Sequence, residues 1–305
     1  MRAAATQRVT AAFRSGPLAV RSFRLLAGGQ LASTIGDYCY AVALPWLVLS
    51  NHGNTILLGT VLACYGVPRT VLIPVGGILA DKLGPRTLML SADVLRCVLV
   101  GVLTVLAARH TASLITLGPT AALIGGGEGL FLPASFTIMP SLLDGDRLAA
   151  GNALSSTAVQ VGSLIGPAIG GALVAATGAS TAAFGIDAVS FAASAVSLAL
   201  IPRHAAAGSM TASPAETADS PGTGADDLAA EPAGKPQGML AYIRQSRAIQ
   251  VIMVVAIAAN LANGGQGEVA LPALAHAHWG AGGYGTLLAC MAAGAVIGTL
   301  AAARS

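Results

Sequence analysis

Charged residues are scarce in this chain. Lys, Arg, Asp and Glu make up 10% of its 305 residues, whereas a soluble domain of this size has about 25%. Aromatic residues are also few, at 4%, while glycine is abundant, with 38 residues. The mean hydropathy is +0.73. These values exclude a water-soluble globular protein and favour helices that pack closely in lipid.

Recognisable metal, catalytic and nucleic-acid-binding patterns are also missing. The cysteines form neither a C-x-x-C pair nor a zinc-ligand spacing; they are Cys39, Cys64, Cys97 and Cys290. The net charge is only +3, and no run of basic residues is dense enough to follow a phosphate backbone. The sequence shows no catalytic triad or nucleophile elbow. We therefore expect no enzymatic activity, no nucleic-acid partner, and no metal or other cofactor.

Long apolar stretches alternate with charged breaks. A bilayer core of about 30 Å requires about 20 mostly apolar residues per helix. This criterion predicts an all-α integral membrane protein with eight spans, at approximately residues 25–50, 56–80, 87–108, 113–140, 150–175, 179–202, 249–274 and 281–303. The short connections among the first six spans indicate antiparallel neighbouring helices.

Basic residues fall mainly on one side of the predicted membrane. The N-terminal tail, residues 1–22, contains arginines and no acid. If this tail is cytoplasmic, 13 of the 16 Lys and Arg residues lie in the tail or in inner segments. Basic residues are enriched on the cytoplasmic side of membrane proteins. The sequence therefore predicts a multi-pass protein of the cell membrane with a cytoplasmic N-terminus.

Residues 203–248 differ in composition from the predicted spans. The stretch 205–237 consists mainly of Ala, Gly, Ser, Thr, Pro and acidic residues, which predicts a disordered cytoplasmic linker. A six-helix half, residues 23–202, would precede the linker, and a partial half of two helices, residues 249–305, would follow it. Six spans, a long inner loop and further spans are typical of transporters built from two repeats.

The loop between the second and third predicted spans reads Gly77-Ile-Leu-Ala-Asp81-Lys-Leu-Gly84-Pro-Arg86. Glycines permit a tight reversal, and the charged residues can form a switchable cluster at the membrane face. An ordinary basic loop with a helix-capping Asp is the alternative. The loop resembles the signature motif of the major facilitator superfamily, although a proline replaces one usual basic residue. The resemblance implies a conformational switch formed by Gly77, Asp81, Lys82, Gly84 and Arg86.

The fifth predicted span reads Gly162-Ser-Leu-Ile-Gly166-Pro167-Ala-Ile-Gly170-Gly171. Small residues four apart allow another helix to approach closely, and the proline can kink the helix. A packing face that does not touch cargo is the alternative. The segment resembles the antiporter motif of the same superfamily. The resemblance implies that Gly162, Gly166, Pro167, Gly170 and Gly171 shape the transport pathway.

Three further segments resemble the multidrug and siderophore efflux branch of the superfamily, including its enterobactin-type exporters. They are Gly36–Trp46 in the first span, Phe131–Ala134 in the fourth and Phe184–Ala188 in the sixth. The resemblance implies a helical bundle made of a six-helix N-terminal half and the first two helices of the C-terminal half. We therefore expect a chain truncated after the eighth helix relative to that family.

Several ionisable residues lie within the predicted spans, where each costs about 2.5–3.5 kcal/mol on insertion scales. By position in the sequence, Asp37, Arg69, Arg96 and Glu128 are near mid-depth, whereas Asp93, Asp187 and Glu268 are nearer an interface. Asp93 and Arg96 are three residues apart and can pair along one helix face. Arg69 can hold either Asp37 or Glu128.

The resemblance implies that the first and fourth helices line a central cavity, so that Asp37 and Glu128 face it. Asp37 also has small neighbours, Ser33 and Gly36, which would leave room for water or cargo. We therefore expect Asp37, Arg69 and Glu128 to be candidates for coupling or substrate binding. A purely structural ion pair is the alternative, and it is favoured more for Glu128 because glycines surround it.

These patterns predict a transporter that works by alternating access. The function expected is proton-coupled efflux, by antiport, of small amphipathic molecules such as drugs or siderophores, with Na⁺ left open as the coupling ion. The expected partners are a small-molecule cargo, protons and the lipid bilayer. The alternative is a truncated, transport-inactive membrane fragment that acts at most as an interaction partner.

Overall fold

The computed structural model describes residues 16–50, 54–109, 111, 113–202, 247, 250, 251, 255 and 269–302. This part of the chain is helical and contains no strand. Its α-helices are α1 (Arg21–Ser50), α2 (Thr55–Leu83), α3 (Pro85–Ala108), α4 (Leu114–Leu142), α5 (Gly145–Thr177), α6 (Thr181–Ala199), α7 (Leu271–His278) and α8 (Gly280–Ala302).

Helices α1 to α6 are long and apolar enough to cross a membrane, which confirms an all-α integral membrane fold. They coincide with the first six predicted spans, and α8 coincides with the eighth. Most of the predicted seventh span lies outside the described residues. The predicted disordered linker lies outside them too, as do the first 15 residues of the predicted tail.

Local sequence signals mark the helix ends. The Asn54 side chain accepts a hydrogen bond of 2.8 Å from the Leu57 amide and so caps the N-terminus of α2. Gly84, at φ 82°, provides the left-handed reversal between α2 and α3. Pro85 then opens α3, where a missing amide hydrogen costs nothing. Gly178, at φ 66°, ends α5 in the same left-handed manner.

Tertiary packing joins helices that are distant in the sequence. The main partners are α2 with α4, α1 with α5 and α6, α3 with α6, and α5 with α8. One apolar cluster surrounds Phe184 and Phe191, and a second surrounds Phe23 and Met89. Helix α1 contributes to both clusters. Helix α1 is the main packing partner of α5 and α6.

Candidate functional site

A cavity of about 900 Å³ lies among α1, α2, α4 and α5. Helices α3, α6 and α8 each add one side chain to its wall. The wall combines apolar residues with five charged ones, which are Asp37, Arg69, Arg96, Glu128 and Asp187. The structure thus brings together all three predicted coupling and substrate candidates, and it adds Arg96 and Asp187.

The cavity wall on α1 runs from Gln30 to Pro45, and α4 and α5 line the cavity mainly on the side at which α1 begins. Helix α4 lines it mainly with its C-terminal half, and α5 lines it with its N-terminal half. At the opposite face, Val42 of α1 packs with Ala275 of α7 and Tyr284 of α8. The rings of Trp46 and His276 lie 4.6 Å apart in the same region. These contacts join α1 to α7 and α8 in the C-terminal half of α1.

Arg96 forms an ion pair with Asp37. Its Nη2 atom lies 2.5 Å from Asp37 Oδ1, which joins α3 to α1. The guanidinium also lies over the ring of Phe191 on α6, 4.1 Å from the ring centroid, in a cation–π contact. The predicted pairing of Arg96 with Asp93 is wrong. The long Arg96 side chain reaches the neighbouring helix, where Phe191 supports its planar end.

Glu128 belongs to a second cluster. Arg69 Nη2 lies 3.2 Å from Glu128 Oε1, and the Tyr65 hydroxyl donates to Glu128 Oε2. Tyr65 and Arg69 are one helical turn apart on α2, so they present their side chains to the same point on α4. Arg69 therefore holds Glu128 rather than Asp37.

Glycines on either side of Glu128 explain the close approach of α2 and α4. Gly125 faces the backbone of Tyr65, and Gly129 faces the backbone of Arg69. A side chain at either glycine would collide with a main-chain carbonyl, which cannot rotate away. These two glycines therefore bring Glu128 within reach of both of its partners.

Asp187 on α6 is a cavity residue that the sequence placed nearer an interface. It is 1% exposed, and its Oδ1 atom is 3.4 Å from the Ser190 hydroxyl. A methyl group at Gly36 would lie 2.5 Å from that same oxygen and 2.9 Å from Ser190 Cβ. Gly36 therefore admits α6 rather than leaving room for water or cargo, as the sequence had suggested. Ser33, by contrast, does line the cavity.

The signature loop divides into exposed and buried parts. Asp81 and Lys82 are exposed, while Arg86 is 9% exposed. Arg86 donates from Nε to the carbonyl oxygen of Leu198 at 2.9 Å, and from Nη2 to that of Ala199 at 2.8 Å. The predicted cluster of Asp81, Lys82 and Arg86 is wrong, because Arg86 binds the C-terminus of α6 instead.

Glycines of the signature loop differ in what they do. Gly84 makes the reversal, whereas Gly77 lies within α2 with open space around the position of a Cβ atom. The prediction of a tight reversal therefore applies to Gly84 alone. The switching role predicted for these residues stays a prediction.

The antiporter-type motif lies on two faces of α5. A Cβ atom at Gly166 would meet the Ile35 carbonyl oxygen at 2.8 Å, and one at Gly170 would meet Cys39 Cα at 2.9 Å. Gly162 likewise faces α1, at Thr34. Gly171 instead faces α8, where a Cβ atom would lie 2.8 Å from the Cα atom of Gly285. Pro167 follows Gly166 within the same helix, and its carbonyl also faces α8.

Comparison with curated proteins finds similar transporters. The multidrug efflux pump Tap of Mycolicibacterium fortuitum is 29% identical over 171 residues, which is 54% of this chain and 40% of Tap. The uncharacterized MFS-type transporter YfiS of Bacillus subtilis is 28% identical over 152 residues, covering 50% of this chain and 35% of YfiS.

MdtD of Yersinia pseudotuberculosis, whose name assigns it provisionally to multidrug resistance, is 27% identical over 150 residues. The match covers 49% of this chain and 31% of MdtD. The chain thus matches less than half of the length of each of these three relatives.

A family comparison covers most of the chain. Residues 26–304 match the sequence profile of the Major Facilitator Superfamily. The match includes α2 to α6, α1 from Leu26 onwards, and all five charged residues of the cavity wall. The chain belongs to the Major Facilitator Superfamily of transporters.

Proposed function

We propose that the protein exports small amphipathic molecules from the cytoplasm in exchange for protons. It would lie in the cell membrane with its N-terminus in the cytoplasm, and it would use alternating access rather than covalent chemistry. The observation that carries this proposal is the cavity of about 900 Å³, whose wall combines apolar side chains with the Asp37–Arg96 ion pair. The similarity to the multidrug efflux pump Tap supports a drug-like cargo.

Asp37 is the proposed coupling residue. It lies on α1 at the cavity wall, and its side chain is 39% exposed while that of Arg96 is 3% exposed. A proton can reach such a carboxylate from the cavity, and binding would cancel its attraction to Arg96. Loss of the proton would restore the ion pair. The pair thus offers two states whose balance a pH gradient can shift.

The Glu128 cluster is the second candidate for coupling. Arg69 and Tyr65 both hold the Glu128 carboxylate, so two contacts from α2 fix the position of Glu128. We propose that it positions Arg69 at the cavity wall, while Asp37 exchanges the proton.

The two motifs would serve the movement between states. We propose that the loop with Asp81 and Lys82 changes its contacts as the two halves rock, since both side chains are exposed. The glycine face of α5 would keep α1 and α8 close to α5 during that movement. Neither motif needs to touch the cargo.

Transport in proteoliposomes tests the role of Asp37. Asp37→Asn keeps the size of the side chain but removes its titration, so it should abolish export driven by a pH gradient and leave cargo binding intact. Asp93→Asn is the matched control, because Asp93 is another intramembrane acid but is buried and does not line the cavity. If Asp37→Asn exports at the normal rate with an unchanged dependence on the gradient, the coupling role of Asp37 is refuted.

A membrane protein without transport activity is the alternative function. The matches cover 31–40% of the three relatives, so export by this chain is tested directly. The same proteoliposomes distinguish the two functions. If the unmodified 305-residue chain exports no cargo under any pH gradient but inserts and folds normally, the alternative is correct.

A further inference from the structure

Arg96 of α3 is buried and has few partners for its positive charge. Its side chain is 3% exposed, and its Nε atom has no hydrogen-bond partner among the described residues. Within the described part of the chain, its one ion pair joins Nη2 to Asp37 Oδ1 at 2.5 Å. A guanidinium group keeps its charge inside a protein, so its stability depends on the groups that surround it.

Phe191 of α6 is the second group that contacts this guanidinium. Arg96 Cζ lies 4.1 Å from the centroid of the Phe191 ring, and the face of an aromatic ring attracts a cation at this distance. The Cys97 thiol, next along α3, donates at 3.3 Å to the main-chain oxygen of Ala188, one turn before Phe191. This bond fixes α3 against α6 beside the contact. Phe191 is 0% exposed, so its ring has no open space to turn into.

Other titratable groups surround Arg96 without forming an ion pair with it in the described structure. They are Tyr65 of α2, Glu128 of α4, Asp187 of α6 and, on α3 itself, Asp93. Glu128 is already paired with Arg69. Asp37 is therefore the carboxylate that neutralises Arg96 by direct contact among the described residues.

Protonation of Asp37 leaves the guanidinium without this anion. The carboxyl group becomes neutral, whereas Arg96 stays charged and buried, and a buried charge without a partner is unfavourable. The Phe191 ring still attracts the guanidinium, because the attraction comes from the ring face and not from a titrating group. The ring therefore stabilises the protonated state more than the ion-paired state, in which Asp37 already neutralises Arg96.

We propose that Phe191 is a positioning residue for proton exchange, which holds the Arg96 guanidinium in place while Asp37 carries the proton. This inference rests on the proposed function, because it concerns the proton exchange proposed for Asp37. In the ion-paired state the guanidinium contacts both the carboxylate and the ring. In the protonated state the ring remains in contact with it. The guanidinium thus stays within reach of Asp37, and the ion pair forms again when the proton leaves.

Infrared titration of the 305-residue chain reconstituted in lipid tests this role. The absorption band of protonated carboxyl groups is followed against pH, and the part that disappears in Asp37→Asn belongs to Asp37. In Phe191→Leu the midpoint of this part should fall by about 0.5–1 pH unit, which is about a threefold to tenfold higher proton concentration. The midpoint falls because loss of the ring destabilises the protonated state more than the ion-paired state.

Phe184→Leu is the matched control. Phe184 also lies on α6, is also 0% exposed and belongs to the same apolar cluster as Phe191. Its ring packs 5.6 Å from that of Tyr40, whereas the ring of Phe191 packs against Arg96. Phe184→Leu should therefore leave the midpoint of the Asp37 band unchanged.

Fluorinated phenylalanines at position 191 separate the charge of the ring face from its packing. One, two or three ring fluorines keep the shape of the side chain and weaken the negative charge of its face in steps. The midpoint should fall in the same steps, and this series gives a result even if Phe191→Leu does not fold. The role of Phe191 is refuted if fluorination leaves the midpoint unchanged, or if Phe191→Leu and Phe184→Leu shift it equally.

The titration separates this inference from the proposed function, since it needs no cargo, no pH gradient and no working transport cycle. A midpoint that falls with each added fluorine, in a chain that exports nothing, would refute export and support the role of Phe191. Export that requires Asp37, together with a midpoint that fluorination does not change, would refute the role of Phe191 and support export.

Discussion

Arg86 should stabilise the fold by capping α6. Its guanidinium donates to the carbonyl oxygens of Leu198 and Ala199 in the last turn of that helix, where carbonyl groups lack the helical i+4 amide. The Leu198 carbonyl oxygen also accepts a hydrogen bond of 3.2 Å from the Ile201 amide. A hydrogen bond from a charged donor contributes about 1.5–3 kcal/mol. Two bonds at the lower value give about 3 kcal/mol. Loss of this free energy should lower the melting temperature by about 6–12 °C, at about 2–4 °C per kcal/mol.

The matched substitution lies in the same loop. Arg86→Met removes the two hydrogen bonds and keeps an unbranched side chain, whereas Lys82→Met removes the same charge from an exposed position. Lys82→Met should change the free energy of unfolding by less than about 0.5 kcal/mol. Arg86→Lys should fall between them, because an ammonium group lacks the planar fork of the guanidinium.

Thermal unfolding of the detergent-purified chain, followed by fluorescence-detected size-exclusion chromatography, measures these differences. Each variant is heated under identical conditions, and the fraction that still elutes as folded protein is compared. The decisive quantity is the difference between Arg86→Met and Lys82→Met. If the two variants melt within about 1 °C of each other, the two carbonyl contacts do not stabilise the fold and the capping argument is wrong.

Two further predictions concern the motifs. Gly170→Ala should lower stability by about 1–3 kcal/mol, because its methyl group would lie 2.9 Å from the main chain of α1; Gly101→Ala, with open space around it, should be neutral or stabilising in the same melting assay. Equal melting temperatures would contradict the close approach of α5 and α1. Asp81→Asn should leave stability unchanged within about 0.5 kcal/mol, because Asp81 is exposed. A large loss of folded protein would show that this acid is structural.

The positions of the membrane helices follow directly from the sequence. Hydropathy varies along the chain, and a span is a local property of about 20 consecutive residues. The sequence placed the start of the first span near residue 25, whereas α1 begins at Arg21. Charged residues are unfavourable in the hydrocarbon region, yet they extend a helix beyond it without cost. Hydropathy therefore locates the part of a helix within the hydrocarbon region better than the ends of the helix.

The partners of the charged residues cannot be predicted from hydropathy. Arg69 and Arg96 both lie at a membrane depth from which they could pair with Asp37. Hydropathy predicts only this depth. The choice depends on how each helix is rotated and how closely it approaches its neighbours. Gly125 and Gly129 fix that approach between α2 and α4, and Gly36 fixes it between α1 and α6.

Asp187 and Arg86 are two further residues whose surroundings the sequence did not predict. The sequence placed Asp187 near a membrane interface, but the packing of α6 against Gly36 brings it to the cavity wall. The sequence assigned Arg86 to a charge cluster within its own loop. The partners of Arg86 are instead main-chain carbonyl groups more than a hundred residues away along the chain. The order of residue types in a sequence does not indicate where a main-chain carbonyl group will lie in the fold.

Gly171 of α5 and Gly285 of α8 face each other where the two helices meet. Where side chains interdigitate, one helix slides past another only if rotamers change, and each change adds a barrier. Two bare backbones meet without such interlocking. At this point α5 and α8 can therefore rotate against each other while their backbones stay in contact. A larger side chain at either glycine would favour one crossing angle between the two helices.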